Sequence, residues 1–556
     1  MPKRKCHFSD NYTKEWSFIK RGRNEYEAHC TICNIFISVS HSGKTSIHNH
    51  NKSNTHKSNI SIASSSQDIS TFMVKENTPE DILVCAAELT TAYKVVNHHQ
   101  SFNSLDCNTK LNSKLYPDSK IAAKQSTART KATAIIKNIL APHSLQTIKE
   151  EIEQVPFYGV LTDASNHNAE KMFPLIIQYF SETKGMQLKL IKLNSLENET
   201  SETIVKFCIN TLNNLNISLH KLIAYSADNT NTNFGGRDRH GTNNVYFKLQ
   251  SILSKDIEGI GCPAHILHNT ASTSTDVLSV DVESIVLKIY KYFSIFTVRN
   301  ERLKSFCEEA DVHYANLQFH SRTRWLSLLS AIEQVKKIIN DLEQTLSERA
   351  EANFLGIKTK IEYNKIKDDA QLFVSIKLFD EEVDNYYKTA REYLQQWSNP
   401  PIKFEVFSWM DLTSSLQWQD VEKTITYLKE KGIDTTDSCF EEILYLKNFI
   451  DKQKFDEDWN KKNMHDKWLH FFQKTDVLER KRNLILMCQY LYAIPGHNAN
   501  VERIFSLIMA QWTKERNRLQ VETVESIIQC KFNFKMTCSE FHTYAMGKPE
   551  LLKQKV

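Results

Sequence analysis

The sequence predicts an α/β protein whose sheet is interrupted by a large all-α insertion and preceded by a small cysteine/histidine module. Three observations predict it. Strand-length apolar runs lie at Phe157–Thr162, Phe173–Phe180, Gln187–Leu193 and Leu222–Ser226, with turn residues or one helical pattern between them. Between Pro263 and Asn399, and again between Ile402 and Ile494, there is no proline, and glycine is confined to Gly356 and Gly432. Such breaker-free stretches read as long helices. Near the N-terminus, Cys30-Thr-Ile-Cys33 is followed by His50 and His56.

A chain of 556 residues has room for several domains, and its 24% charged and 10% aromatic residues suit packed cores rather than disorder. The formal net charge is only +4, so no global basicity announces a nucleic-acid partner. Twelve cysteines are scattered, with one C-x-x-C pair. That usage fits a reducing compartment and one metal site better than a disulfide framework. No apolar run has the length of a membrane span, and no signal-like segment follows Met1, so an intracellular protein is expected. The basic cluster Lys3-Arg4-Lys5 suits a nuclear address.

Residues 1–58 form the first expected unit. The first 60 residues carry ten Lys/Arg against four Asp/Glu, so this region is locally basic. Two thiolates on a tight turn and two imidazoles further on can close a tetrahedral zinc site through Cys30, Cys33, His50 and His56. His48 is an alternative to His50, His41 is expected on the surface, and Trp16 supplies a core residue. Zinc would contribute most of the folding free energy of so small a unit. The order Trp16, Cys30-x-x-Cys33, Gly43, Ile47, His50, Ser53, His56 resembles a BED-type zinc finger. The resemblance implies DNA binding, with Lys44, Lys52 and Lys57 meeting phosphates. A zinc-stabilised protein-interaction knuckle is the competing reading.

Residues 59–77 are serine-rich and read as a flexible linker. Residues 78–153 open with Thr78-Pro79-Glu80, a helix start, and continue with apolar positions Ile82, Cys85, Ala86, Leu89 and Tyr93 at helical spacing. This segment reads either as a second DNA-contacting helical domain or as a lead-in to the core.

In residues 154–270, Asp163 ends the first strand and Asp228 ends the fourth. Three consecutive strands, a helix from Glu199, and a fourth strand beside the first would bring the two acids together as in a ribonuclease H-like sheet. Paired carboxylates suit Mg²⁺ or Mn²⁺, which can activate a water or a 3′-hydroxyl against a phosphodiester. A third acid is expected for two ions, and Glu502, after Ile494-Pro495-Gly496, is the candidate.

Leu161-Thr-Asp163-Ala-Ser165, Ser226-Ala-Asp228-Asn229, Cys262-x-x-His265, Thr323-Arg324-Trp325 and Asn500-Val-Glu502-Arg503-x-Phe505-Ser506 together resemble the hAT superfamily of DNA transposases, over about residues 75–540. The resemblance implies that Asp163, Asp228 and Glu502 form a metal-binding catalytic triad. It implies that Cys262 and His265 shape the active site, and that Trp325, next to Arg324, stacks on a flipped base. It further implies an all-α insertion over 271–490 and completion of the core over 491–545. The apolar residues Val521, Val524, Ile527 and Ile528, following Trp512, Arg516 and Arg518, resemble the family's dimerisation region, so self-association is implied. The expected activity is metal-dependent cleavage of DNA ends and strand transfer. The alternative is a domesticated, non-catalytic DNA-binding regulator.

Overall fold

The computed structural model describes residues 5–60, 78–167, 170–236, 241–279, 281–309, 314, 316–319, 331, 333, 370–397, 401–413, 416–453, 455–474, 482–516 and 518–554. These residues form a mixed α/β protein with a mixed sheet and many helices. The chain divides into two compact units, Met1–Leu83 and Val84–Val556.

In the first unit, strands β1 (Ile19–Arg21), β2 (Glu27–Cys30) and β3 (Ile35–Ser38) make an antiparallel meander, followed by the Lys44–Lys52 helix. Gly43 precedes that helix with φ +49°, a backbone conformation that suits glycine. Ile19, Ala28, Cys30, Val39 and Ile47 are fully buried, with Tyr12, Trp16 and Phe18 packed around them.

The second unit is organised on a six-stranded sheet. Strand β4 (Tyr158–Thr162) sits centrally, antiparallel to β6 (Glu170–Ser181) and parallel to β8 (Leu222–Ala227), which is parallel to β9 (Glu258–Gly261). The long β6 pairs with β5 (Ser165–His167) at its start and with β7 (Gly185–Ser195) along its length. A parallel neighbour needs a crossover, and the Ser201–Asn214 helix supplies it between β7 and β8. The strand β5 has no counterpart among the apolar runs. Its three residues are polar and are extended only because they pair with Glu170–Met172.

Alternation along β4 and β6 sends side chains to two faces. Tyr158, Val160, Phe173, Leu175, Ile177 and Tyr179 face one way, onto Ile148, Ile152 and the Ser201–Asn214 and Val245–Leu253 helices. On the other face, Leu161, Met172 and Ile176 meet Val501, Ile504, Phe505 and Ile508, while Phe180 and Ala224 join a cluster built from residues 404–494. Burial on both faces explains why β4 reads as a continuous apolar run rather than an alternating one. Gly159 marks the closest approach: a Cβ there would lie 2.2 Å from the Ala493 carbonyl oxygen and 3.0 Å from Pro495.

Phe407, Trp409, Trp468, Phe471 and Tyr490 form one buried cluster with Phe180 and Ala224 of the sheet. The apolar stripe after Trp512 is used within the chain. Val524, Ile527 and Ile528 are fully buried, and the Val521–Phe534 helix packs along β7. That helix also satisfies the outer edge of β7. Glu525 accepts from Leu193 N–H, Gln529 donates to the Ile191 carbonyl, and Asn533 both accepts from and donates to Leu190. An open strand edge invites pairing with other chains, and these side chains close it.

Helices within 84–153 pack on the C-terminal part of the second unit. Tyr93 donates to the Met536 carbonyl and stacks on Phe541 at 4.1 Å, and Gln511 donates to the Val96 carbonyl. Ile285, Ile289, Tyr290 and Phe293, apolar positions at helical spacing, lie in the Val282–Ser294 helix, and Phe296 follows in the connection to Thr297–Glu309. Leu326, Leu329, Ile332, Val335 and Ile338, which recur at helical spacing, and residues 61–77 of the linker lie outside the described residues.

Candidate metal centres

Cys30, Cys33, His50 and His56 converge, each offering a ligand atom within 4.8 Å of the others. Cys30 ends β2 and Cys33 follows on the turn into β3. His50 lies in the last turn of the Lys44–Lys52 helix, and His56 comes one turn later. The Cys33 and Cys30 sulfurs stand 3.1 and 3.6 Å from His56 Nδ1. With Zn–S of ~2.3 Å and Zn–N of ~2.0 Å, a tetrahedral site has S···N edges of about 3.5 Å, so the spacing suits zinc. Burial lowers the pKa of both histidines, which keeps them neutral as ligands must be, and raises that of the Cys30 thiol. The choice between His50 and His48 is decided by the helix: His50 turns inward, while His48 and His41 are exposed. Lys44, expected on phosphate, is ion-paired with Glu15 and lies over the Trp16 ring.

The second centre lies at the C-terminal ends of β4 and β8. Their register pairs Leu161 with Ser226, so Asp163 and Asp228 follow two residues later on adjacent strands. Glu502 sits in the first turn of the Ala499–Gln511 helix, where the helix dipole favours a carboxylate. His265 sits in the first turn of the Pro263–Thr275 helix. Asp163, His265 and Glu502 offer ligand atoms within 4.8 Å of one another. Asp228 is placed beside them but is not one of that set. Its Oδ1 accepts from the Thr230 hydroxyl and the Asn233 amide, and Asn233 is held in turn by the buried Tyr225 hydroxyl.

Among the described residues no Lys or Arg is ion-paired with these acids. Asp163 Oδ1 accepts from Ala164 N–H, whereas Oδ2 is sealed from solvent and accepts nothing among the described residues. Burial, then the Asp228 and Glu502 carboxylates, hold Asp163 well above the usual carboxylate range, against the Ala164 hydrogen bond. Burial raises Glu502 as well. A buried oxygen with nothing to accept, beside a half-buried second acid, is what a cation would neutralise.

Asn498 is the residue whose role the sequence did not disclose. It is fully buried at the start of the Glu502 helix. Its Nδ2 donates to the Thr162 carbonyl at 3.0 Å, its Oδ1 accepts from Ser226, and its N–H donates to Cys262 Sγ at 3.4 Å. Cys262 in turn donates its N–H to the Ala227 carbonyl. One side chain and one thiol therefore join the β4 end, the β8 end, the His265 helix and the Glu502 helix. Its only sequence signal was its place four residues before Glu502. Replacing Asn498 by alanine is expected to destabilise the protein by about 1–3 kcal/mol, because the Thr162 carbonyl is left buried without its donor. It is also expected to weaken Mn²⁺ binding by roughly 10–100-fold, the usual scale for groups that orient ligands. Thermal unfolding and a Mn²⁺ titration of the same variant check both, and unchanged Mn²⁺ affinity would contradict the positioning role.

Arg324 and Trp325 lie outside the described residues. No protein-family model matches the chain, and no curated protein matches it.

Proposed function

We propose that this chain is a DNA transposase of the hAT type, carrying a BED-type zinc finger ahead of a ribonuclease H-like core. In this reading Asp163, Asp228 and Glu502 serve Mg²⁺- or Mn²⁺-dependent cleavage of DNA ends and strand transfer. The observation that carries it is the meeting of Asp163 and Glu502 beside Asp228, three acids supplied by two parallel strand ends and a distant helix. The five motifs stand in the order the superfamily uses, which supports the same reading.

Chemically, carboxylates here would hold a divalent cation that activates the attacking oxygen and stabilises the leaving one. Partial enclosure strengthens the electrostatics of such a site. Cys30, Cys33, His50 and His56 would hold structural zinc, with Lys52 and Lys57 exposed for phosphate contact. The working location is the nucleus, and the partners are DNA and a second copy of the chain. A second copy would have to use a surface other than the buried Val524, Ile527 and Ile528 stripe.

The test is nicking of DNA that carries the sequences flanking the chain's own gene, with Mg²⁺ or Mn²⁺. Glu502→Gln is expected to reduce cleavage by at least about 10³-fold, an expectation scaled to loss of a principal transition-state stabiliser, while DNA binding persists. Binding without cleavage by the unaltered chain would favour the non-catalytic regulator instead. Cleavage at full rate by Glu502→Gln would sink the assignment.

A further inference from the structure

We propose that Tyr225, Thr230 and Asn233 are positioning residues of the sheet-end cation centre and act through Asp228: they hold its Oδ1 and leave Oδ2 as the oxygen it offers a cation. The inference rests on the reading of that site as a cation centre and names what sets its second strand-end acid. The Thr230 hydroxyl and the Asn233 side-chain amide both donate to Asp228 Oδ1, which fills the two lone pairs of that oxygen. No hydrogen bond falls on Oδ2 among the described residues. Because the two oxygens turn together about one bond, fixing one fixes the other.

The relay starts inside the sheet. Tyr225 lies on β8, fully buried, with its ring against Phe234 at 5.7 Å. Phenylalanine would serve for packing alone, whereas a hydroxyl buried in an apolar core needs a partner. That hydroxyl donates to Asn233 Oδ1 at 2.7 Å. An amide can sit either way round, and this bond settles which. With its oxygen taken by Tyr225, its Nδ2 faces Asp228. The same Nδ2 also donates to the Thr230 oxygen at 3.3 Å, and the Thr230 hydroxyl donates onward to Asp228 at 2.9 Å. The short Asn231–Phe234 helix brings Asn233 back beside the strand, and Gly235 ends it at φ +74°.

Carboxylates that ligate a cation are themselves hydrogen-bonded, and those outer partners orient the ligand atom. Two separate holds serve this site. Asn498 fastens the strand ends to the Glu502 helix, whereas Tyr225, Thr230 and Asn233 fix one carboxylate on its own strand end. Without them the Asp228 carboxylate is free to turn, and its ordering has to be supplied when the cation binds. Loss of the Tyr225 hydroxyl is therefore expected to weaken Mn²⁺ binding roughly 10–100-fold.

The experiment titrates Mn²⁺ into the full chain, its cysteine/histidine cluster first filled with zinc, and follows thermal midpoints with and without Mn²⁺. Tyr225→Phe keeps the ring and removes only the hydroxyl. Thr230→Val, at an exposed position, keeps the shape and removes the other donor. Both are expected to lower Mn²⁺ affinity by roughly 10–100-fold, whatever happens to the metal-free midpoint. In the Asp228→Asn background Tyr225→Phe is expected to lower it by less than about twofold further, since residues that act through one group are not additive. An equal fold-loss in both backgrounds overturns action through Asp228. A lower metal-free midpoint with unchanged Mn²⁺ affinity in both single variants leaves only a packing role and overturns the proposal, while the cation centre stands. Mn²⁺ binding insensitive to Asp163→Asn, Asp228→Asn and Glu502→Gln overturns the cation centre itself. Thr230→Val decides the question if Tyr225→Phe does not fold.

Discussion

Asp163→Asn is expected to stabilise the metal-free protein while abolishing its stabilisation by divalent cations. The carboxylate is crowded by Asp228 and Glu502 and has one oxygen sealed from solvent with nothing to accept. An amide keeps the acceptor for Ala164 N–H and removes the charge. Relief of an uncompensated charge in such surroundings is expected to add about 1–3 kcal/mol. The sign with pH follows from the direction of the shifts. Asp163 and Glu502 hold their protons in the folded chain over a pH window in which the unfolded chain has released them. Folding stability therefore falls as pH rises out of the ordinary carboxylate range and through the raised values. Mn²⁺ should flatten that slope in the unaltered chain, and Asp163→Asn should flatten it without Mn²⁺. Thermal midpoints between pH 4 and 8, with and without Mn²⁺, check this. A lower midpoint for the variant at neutral pH would contradict the account of strained acids.

Removal of zinc should unfold residues 5–60 and leave the sheet of the second unit folded. Among the described residues, the first unit has five fully buried apolar residues, Ile19, Ala28, Cys30, Val39 and Ile47. A core of that size does not hold a domain alone, whereas zinc in a Cys/His set contributes about 10–16 kcal/mol. Hydrogen exchange followed by mass spectrometry, before and after a chelator, should show protection lost from β1–β3 and the Lys44–Lys52 helix. Protection of Tyr158–Thr162 should be unchanged. Cys33→Ser should give the same result without a chelator, and restored zinc should reverse it only in the unaltered chain. Persistent protection of β2 after zinc has left would show that the cluster is not what holds this unit.

Much of this molecule is legible in its sequence, for a local reason. A strand buried on both faces, such as Tyr158–Thr162, writes itself as an apolar run. The C-x-x-C turn with two later histidines states a ligand set through spacing alone. Adjacency of Asp163 and Asp228 also followed from order, because a single crossover helix brings β8 parallel to β4. What stayed hidden depends on contacts between residues hundreds of positions apart. Spacing could not choose between His48 and His50; the inward face of one helix did. It could not show that Val524 and Ile528 are buried against Leu188, Leu190 and Leu193 of the chain's own β7, since a buried stripe and an interface stripe have the same period. Nor could it show that Asn498 fastens two strand ends to two helices, or that His265 joins Asp163 and Glu502 in one cluster. The sequence by itself determined the buried strands β4, β6, β7 and β8 and where the acids lie along the chain. The tertiary structure decided which of those side chains meet, because convergence is set by long-range packing that no local period encodes.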